Sequence, residues 1–134
     1  MYRWAVSKII RFVYSRTFAG DDRIMMRASA PDVAFTFPGQ SSFAATLVGR
    51  EALSEWLARF RTFEPTFDVG DVVVSGPPWN MRAAVRFRDA IGKDYENEGV
   101  EWLTFRWGKV QSLEVFLDTE RVTAFDQRLI SARA

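Results

Sequence analysis

The chain has 134 residues, of which 48% are hydrophobic and 15% aromatic, and its formal net charge is +1 at pH 7. Such a length and composition are typical of one globular domain with a sizeable core, and they argue against disorder. Positive and negative residues are interspersed without a basic stripe, so we expect no nucleic-acid partner. No apolar run approaches the roughly 20 residues of a membrane span, and we therefore expect a cytoplasmic protein with no membrane partner.

The sequence contains no cysteine and no histidine. This excludes disulfide bonds, thiol nucleophiles, cysteine-based zinc sites and any histidine general base. A metal would need an all-oxygen site, and no acidic calcium-loop pattern is present. We therefore expect neither a metal nor a cofactor, and any acid–base chemistry must rest on Asp, Glu, Tyr or Lys.

The first half of the chain shows mainly helical patterns. Five residues at helical spacing predict an amphipathic first helix: Val6, Ile9, Ile10, Val13 and Thr17. This helix ends at Gly20, and Asp21 or Asp22 can cap a short second helix. A strand is predicted over Val33 to Phe37, followed by a loop at positions 38–42. A stripe of Leu and aromatic residues then predicts a third helix from Arg50 to Arg61.

The second half of the chain alternates between apolar and polar residues, which predicts four strands in a meander. They cover Thr66 to Ser75, Asn80 to Arg88, and a long hairpin from Asp94 to Asp118 that turns at positions 107–109. Asp118 or Thr119 can cap a last helix. The element order predicts a single domain over residues 1–134 of the α+β class. We expect a curved antiparallel sheet wrapped around helices to form a conical pocket.

The long hairpin carries the most informative pattern. Residues on one face of its first strand share a period of two: Tyr95, Asn97, Gly99, Glu101, Leu103 and Phe105. Packing this face inward brings Glu101 and Asn97 into an apolar interior, where a carboxylate costs free energy unless a ligand or a reaction uses it. In the alternative register, slipped by one residue, Val100 and Trp102 face the core and Glu101 faces solvent.

Three segments, in this order, resemble the nuclear transport factor 2-like superfamily, and most closely its SnoaL-like branch near ketosteroid isomerases and polyketide cyclases. They are FVYSRTFAGDDRIMMRASAPDVAFTFPGQ, LVGREALSEWLARF and YENEGVEWLTFRWGKVQSLEVFLDTERV. The resemblance covers most of the chain and implies a cystatin-like α+β roll. It implies much less about activity, because unrelated functions share this fold.

The catalytic residues of ketosteroid isomerases carry over only in part. Phe37 stands where the resemblance implies a general-base Asp before Pro38. Val13 aligns with the hydrogen-bonding Tyr of the first helix, and Tyr14 lies one step away, rotated by about 100° around the helix. Glu101 falls at or beside the protonated acid that acts as the second donor. The strand NMRAAVRFR lacks the acid that epoxide-hydrolase members use, so polyketide-cyclase members resemble the chain best.

Glu101 and Asp118 are the candidate catalytic residues. Burial would raise the pKa of Glu101 and make it a proton donor near neutrality. Asp118 matches the family's acidic residue at the end of the last strand, and its alternative role is a helix N-cap. The candidate ligand-binding residues are apolar or aromatic, with one amide: Tyr14, Phe37, Trp56, Phe60, Phe87, Asn97 and Leu113. Their alternative roles are plain core for the apolar positions and a backbone-bonded amide for Asn97.

These observations predict a pocket protein that binds a small, largely apolar ligand. If it is an enzyme, one buried carboxylate would move a proton next to a carbonyl, in an isomerisation, cyclisation or dehydration. The alternative is a non-catalytic ligand-binding or dimerisation module of the same fold. Val100, Trp102 and Phe116 fall on the outer face of the sheet, which predicts a homodimer through that face.

Overall fold

The computed structural model describes residues 2–133, and this part of the chain contains four helices and six strands. The helices are α1 (Tyr2–Phe18), α2 (Arg23–Ala28), α3 (Arg50–Arg61) and α4 (Thr119–Arg133). The strands are β1 (Ser29–Phe37), β2 (Ala45–Val48), β3 (Thr66–Ser75), β4 (Arg82–Ile91), β5 (Tyr95–Arg106) and β6 (Lys109–Leu117).

All six strands form one sheet in the order β2-β1-β6-β5-β4-β3. Neighbouring strands are antiparallel except β1 and β6, which are parallel. The pairing register shifts within β1–β6, β3–β4 and β5–β6, and such irregularities bend a strand and increase its twist. The curved sheet can therefore enclose the helices that pack on its inner face, which confirms the predicted α+β class.

Most predicted boundaries agree with the structure, but three features differ. β1 begins at Ser29 rather than at Val33. The predicted loop after β1 is followed by a strand, β2, that was not predicted. This four-residue strand lies at the edge of the sheet and pairs only with β1, and its Val48 is 69% exposed. A short edge strand has little alternation to reveal it. β4 runs from Arg82 to Ile91 rather than from Asn80 to Arg88, which matters for the site.

Helix α1 buries three of the five predicted positions, together with Tyr14. Its buried residues are Ile10, Val13, Tyr14 and Thr17, whereas Ile9 is 59% exposed. The helix is therefore rotated so that Tyr14 points into the protein. Among residues 2–133, no helix combines the length and apolarity that crossing a bilayer requires.

Candidate functional site

The hairpin formed by β5 and β6 has the predicted register. Glu101 is only 7% exposed and lies on the inner face of the sheet, paired with Val85 of β4 and Val115 of β6. Its neighbours Val100 and Trp102 point outward and are 36% and 39% exposed. The alternative register is excluded, because the structure places the Glu101 carboxylate in the apolar interior.

Glu101 lines a cavity of about 40 Å³ between the helices and the inner face of the sheet. Six of the seven predicted ligand-binding residues line it as well: Tyr14, Phe37, Trp56, Phe60, Phe87 and Leu113. The aromatic rings occupy much of the cone. Trp56 packs on Phe35, Phe37 and Phe60 with ring centroids 4.7, 5.2 and 5.5 Å away, and its indole N–H donates to the Phe43 carbonyl at 2.9 Å. The remaining space is apolar and narrow.

Tyr14 brings its hydroxyl group to Glu101. Burial, the charge of Glu101 and a contact between the two groups raise the pKa of Tyr14 well above its ordinary value. The hydroxyl nevertheless has no partner in good hydrogen-bond geometry among the described residues. Tyr14, rather than the aligned Val13, therefore places a hydroxyl group beside Glu101 in the cavity.

Burial controls the protonation of Glu101. Removing the carboxylate from water raises its pKa from 4.5 to about 7, and the nearby Tyr14 hydroxyl opposes this by favouring the charged form. Desolvation outweighs a single hydrogen bond here because the group is surrounded by apolar side chains. At neutral pH both the protonated and the ionised forms of Glu101 are populated, so the carboxyl group can donate a hydrogen bond.

Asp89 is a second buried acid in the same cavity, and sequence reasoning missed it. It is 5% exposed, it lines the cavity with Glu101, and its Oδ1 atom has no hydrogen-bond partner. Burial raises its pKa from 3.8 to about 7, although Tyr95 and a backbone N–H lower it. The prediction that this strand carries no acid is wrong, because the strand continues beyond Arg88 to Ile91 and includes Asp89. The inward alternation of Ala83, Val85 and Phe87 continues to Asp89 and could have revealed it.

The sheet register separates the two acids along the cavity. Asp89 lies opposite Asn97, and Val85 lies opposite Glu101. The two pairs are four residues apart along the strands, which corresponds to about 13 Å between backbone positions. Asp89 and Glu101 therefore approach the interior from separate places on one wall of the cavity.

Asn97 is buried on the predicted face, but all its polar atoms are engaged by the protein. Its Nδ2 donates to the Tyr95 hydroxyl at 3.1 Å and to the Asp118 carbonyl at 2.9 Å. Its Oδ1 accepts from the N–H groups of Glu98 at 2.9 Å and Asp118 at 3.4 Å. Both donors and both acceptor positions are thus used. The structure corresponds to the alternative role: Asn97 ties β5 to the end of β6.

Asp118 lies outside the cavity at the start of α4. Its Oδ1 accepts the backbone N–H groups of Glu120 at 3.0 Å and Arg121 at 3.4 Å, and its side chain is 48% exposed. These are the contacts of a helix N-cap, the alternative role considered for this residue. Residues 2–133 bring together no three His, Cys, Asp or Glu side chains that could hold a metal ion.

The family comparison agrees with this geometry. A profile of the SnoaL-like domain matches residues 8–113, which is most of the chain. The chain belongs to the SnoaL-like domain family. This SnoaL-like protein matches none of the curated proteins in a sequence search.

Solved structures resemble this SnoaL-like protein closely in fold. PrhC from Penicillium brasilianum is 17% identical with a TM-score of 0.77, covering 99% of this chain and 93% of its own. A Xanthomonas campestris protein described as having a cystatin-like fold is 20% identical with a TM-score of 0.70, and the match covers 90% of this chain and 96% of that protein. A steroid delta-isomerase from Pseudomonas aeruginosa is 18% identical with a TM-score of 0.65, and the match covers 96% of this chain and 93% of that protein. These TM-scores demonstrate a shared fold. Sequence identities of 17–20% say nothing about a shared activity.

Proposed function

We propose that this SnoaL-like protein binds a small, largely apolar carbonyl compound and moves a proton at the carbon next to the carbonyl group. One observation carries the proposal. Tyr14, Asp89 and Glu101 converge on one apolar cavity, and each is buried without the ion pair that would make it a structural group. Buried acids with a shifted pKa are costly for stability and are typical of functional sites.

The three side chains take complementary roles. The Tyr14 hydroxyl and protonated Glu101 donate hydrogen bonds to the carbonyl oxygen and stabilise the negative charge that develops there. Ionised Asp89 accepts the proton from the adjacent carbon. The predicted chemistry had one buried carboxylate, and the structure supplies two. A proton donor pair and a separate base are the parts that enolisation requires.

The reaction class remains as the sequence predicted: isomerisation, cyclisation or dehydration. All three can begin with proton transfer next to a carbonyl, so the same residues would serve each of them. The structural neighbour named steroid delta-isomerase is consistent with the first class. The base differs from the one that the family resemblance implies, because Phe37 replaces the acid of the first strand and Asp89 of β4 takes over its role.

Exchange of α-protons with solvent tests this proposal without knowledge of the natural substrate. We expect the protein to speed the exchange of α-protons of 2-butanone and cyclohexanone in D₂O, followed by ¹H NMR. Asp89→Asn should reduce this exchange by about 10²- to 10⁴-fold, because the general base is lost. The matched control Asp68→Asn changes an exposed acid on β3 and should exchange at the wild-type rate. Equal rates for wild type and Asp89→Asn would contradict the role of Asp89.

A non-catalytic pocket protein is the second candidate. The replacement of the first-strand acid by Phe37 favours it, because the base that the family resemblance implies is absent. The cavity of about 40 Å³ does not separate the two candidates, since each needs room for a ligand. The same exchange measurement separates the two candidates, since a binding module would bind ketones without accelerating exchange in any variant.

We also propose a homodimer through the outer face of the sheet. Val100 and Phe116 lie opposite each other on β5 and β6, next to Trp102, and these three side chains are 36%, 52% and 39% exposed. We expect light scattering after size exclusion to give twice the chain mass, and Trp102→Glu to give a monomer, because a buried charge would oppose association. Trp107→Glu, at a 77% exposed turn position, is the matched control. A monomeric wild type would refute the dimer.

A further inference from the structure

A second cavity lies beside the first and is larger. Its volume is about 230 Å³, and it is bounded by residues 6–14 of α1, the end of α2 and the β5–β6 hairpin. Leu103 and Phe105 form its floor, two and four residues beyond Glu101 on the same face of β5. The two cavities therefore follow one another along the inner face of the sheet.

Three residues form the wall that the cavities share: Tyr14, Met25 and Leu113 line both of them. Tyr14 is also the residue whose hydroxyl group approaches Glu101. Met25 has an unbranched, flexible side chain that can change rotamer at little cost. A ligand held by its polar group at Tyr14 could thus extend past Met25 into the second cavity.

The second cavity offers a ligand almost nothing but apolar contacts. Its one lining hydroxyl besides Tyr14 belongs to Ser29, which donates to the Met25 carbonyl at 2.7 Å. Val6 and Ile9 of α1 stand at its rim, partly buried and 59% exposed, respectively. A hydrocarbon chain fits such a lining, whereas a polar group would lose its hydrogen bonds to water without replacement.

We infer that the second cavity binds the hydrocarbon tail of a carbonyl ligand whose oxygen lies at Tyr14 and Glu101. This assignment rests on the proposed function, and it adds the substrate class: a ketone carrying an alkyl or similar apolar chain. It also accounts for the small size of the first cavity, which has to hold only the reacting carbonyl end. The two volumes together approach the lower limit of about 300 Å³ that is usual for ligand sites.

A chain-length series of methyl ketones tests the assignment. We expect the affinity of the wild-type protein, measured by isothermal titration calorimetry, to rise about fourfold per methylene from 2-butanone to 2-octanone, because each added CH₂ leaves water. Val6→Phe fills the second cavity from its rim and should abolish this rise beyond 2-pentanone. Ala28→Phe, on α2, makes the same change from another wall. Val48→Phe at the exposed end of β2 is the matched control and should keep the full series.

The outcomes separate this inference from the proposed reaction. Affinity that rises with chain length in wild type but not in Val6→Phe or Ala28→Phe supports the tail site, even if no α-proton exchange occurs. Exchange of short ketones with no dependence of affinity on chain length would overturn the tail site and leave the reaction intact. An identical series in wild type and in both folded variants would overturn it too, and so would the absence of binding by any ketone.

Discussion

Glu101→Gln is expected to lower the rate of α-proton exchange, by at most the roughly 10²- to 10³-fold that complete removal of one donor to a developing oxyanion costs. Glutamine has nearly the shape of glutamic acid and keeps an N–H donor, so the fold should persist. It cannot supply the more acidic O–H group of protonated Glu101. The rate is measured by ¹H NMR in D₂O, and circular dichroism verifies that the variant is folded.

The pH dependence of this exchange distinguishes a donor from a merely structural carboxyl group. The proposed reaction requires Asp89 ionised and Glu101 protonated, and the pKa of each is about 7. The wild-type rate should therefore rise with pH below 7 and fall above 7. The two apparent pKa values of this profile describe Asp89 and Glu101 together rather than either residue alone. Glu101→Gln should lose the fall at high pH, because glutamine has no proton to release.

A control and a contrary outcome complete the experiment. Glu114→Gln makes the same change on the outer face of β6, where the side chain is exposed, and it should retain the rate and the bell-shaped profile. Tyr14→Phe removes the second donor and should lower the rate without removing the high-pH limb. If Glu101→Gln exchanged protons at the wild-type rate with an unchanged profile, Glu101 would have no role as a donor.

How much of this site could be predicted depends on the periodicity of each element. A strand has a period of two, so the hairpin allowed two registers, and the structure selects the one whose buried face contains Glu101. Asp89 lies on the inward face by the same rule, but the predicted strand ends at Arg88, one residue before it. An inward acid breaks the apolar alternation that defines a strand. The alternation therefore indicates which face Asp89 occupies, but an inward acid weakens the prediction of where the strand ends.

Helix α1 could not be oriented from its sequence alone. Two overlapping stripes, one through Ile9 and the other through Tyr14, both have helical spacing, and apolar residues are present on several faces of the helix. The packing against β3 selects the second, since the ring of Tyr14 stacks on Phe67 of β3 with centroids 5.5 Å apart. Such a choice depends on tertiary contacts rather than on local pattern.

The two buried acids should also make the stability of the protein depend on pH. The pKa of Glu101 is 4.5 ordinarily and about 7 in the folded state, so the folded protein binds more protons than the unfolded chain between these values. The free energy of unfolding therefore falls as pH rises through this window. The stabilising contribution of the protonated form is complete below pH 4.5 and is lost above pH 7. Asp89 shifts in the same direction, whereas the pKa of Asp21 lies well below this range.

Glu101→Gln should flatten this dependence by roughly 3 kcal/mol between pH 4.5 and 7.5, since each tenfold change in proton affinity corresponds to about 1.4 kcal/mol. Urea unfolding at several pH values gives the free energy for wild type and variant, and only their difference is compared, so that all other titrations cancel. Glu114→Gln should run parallel to wild type. A Glu101→Gln curve that also ran parallel would mean that Glu101 is hydrated and ionised in the folded protein. Glu101 could then not act as a proton donor either. The desolvation that costs stability at neutral pH is also what keeps its carboxyl group protonated for the reaction.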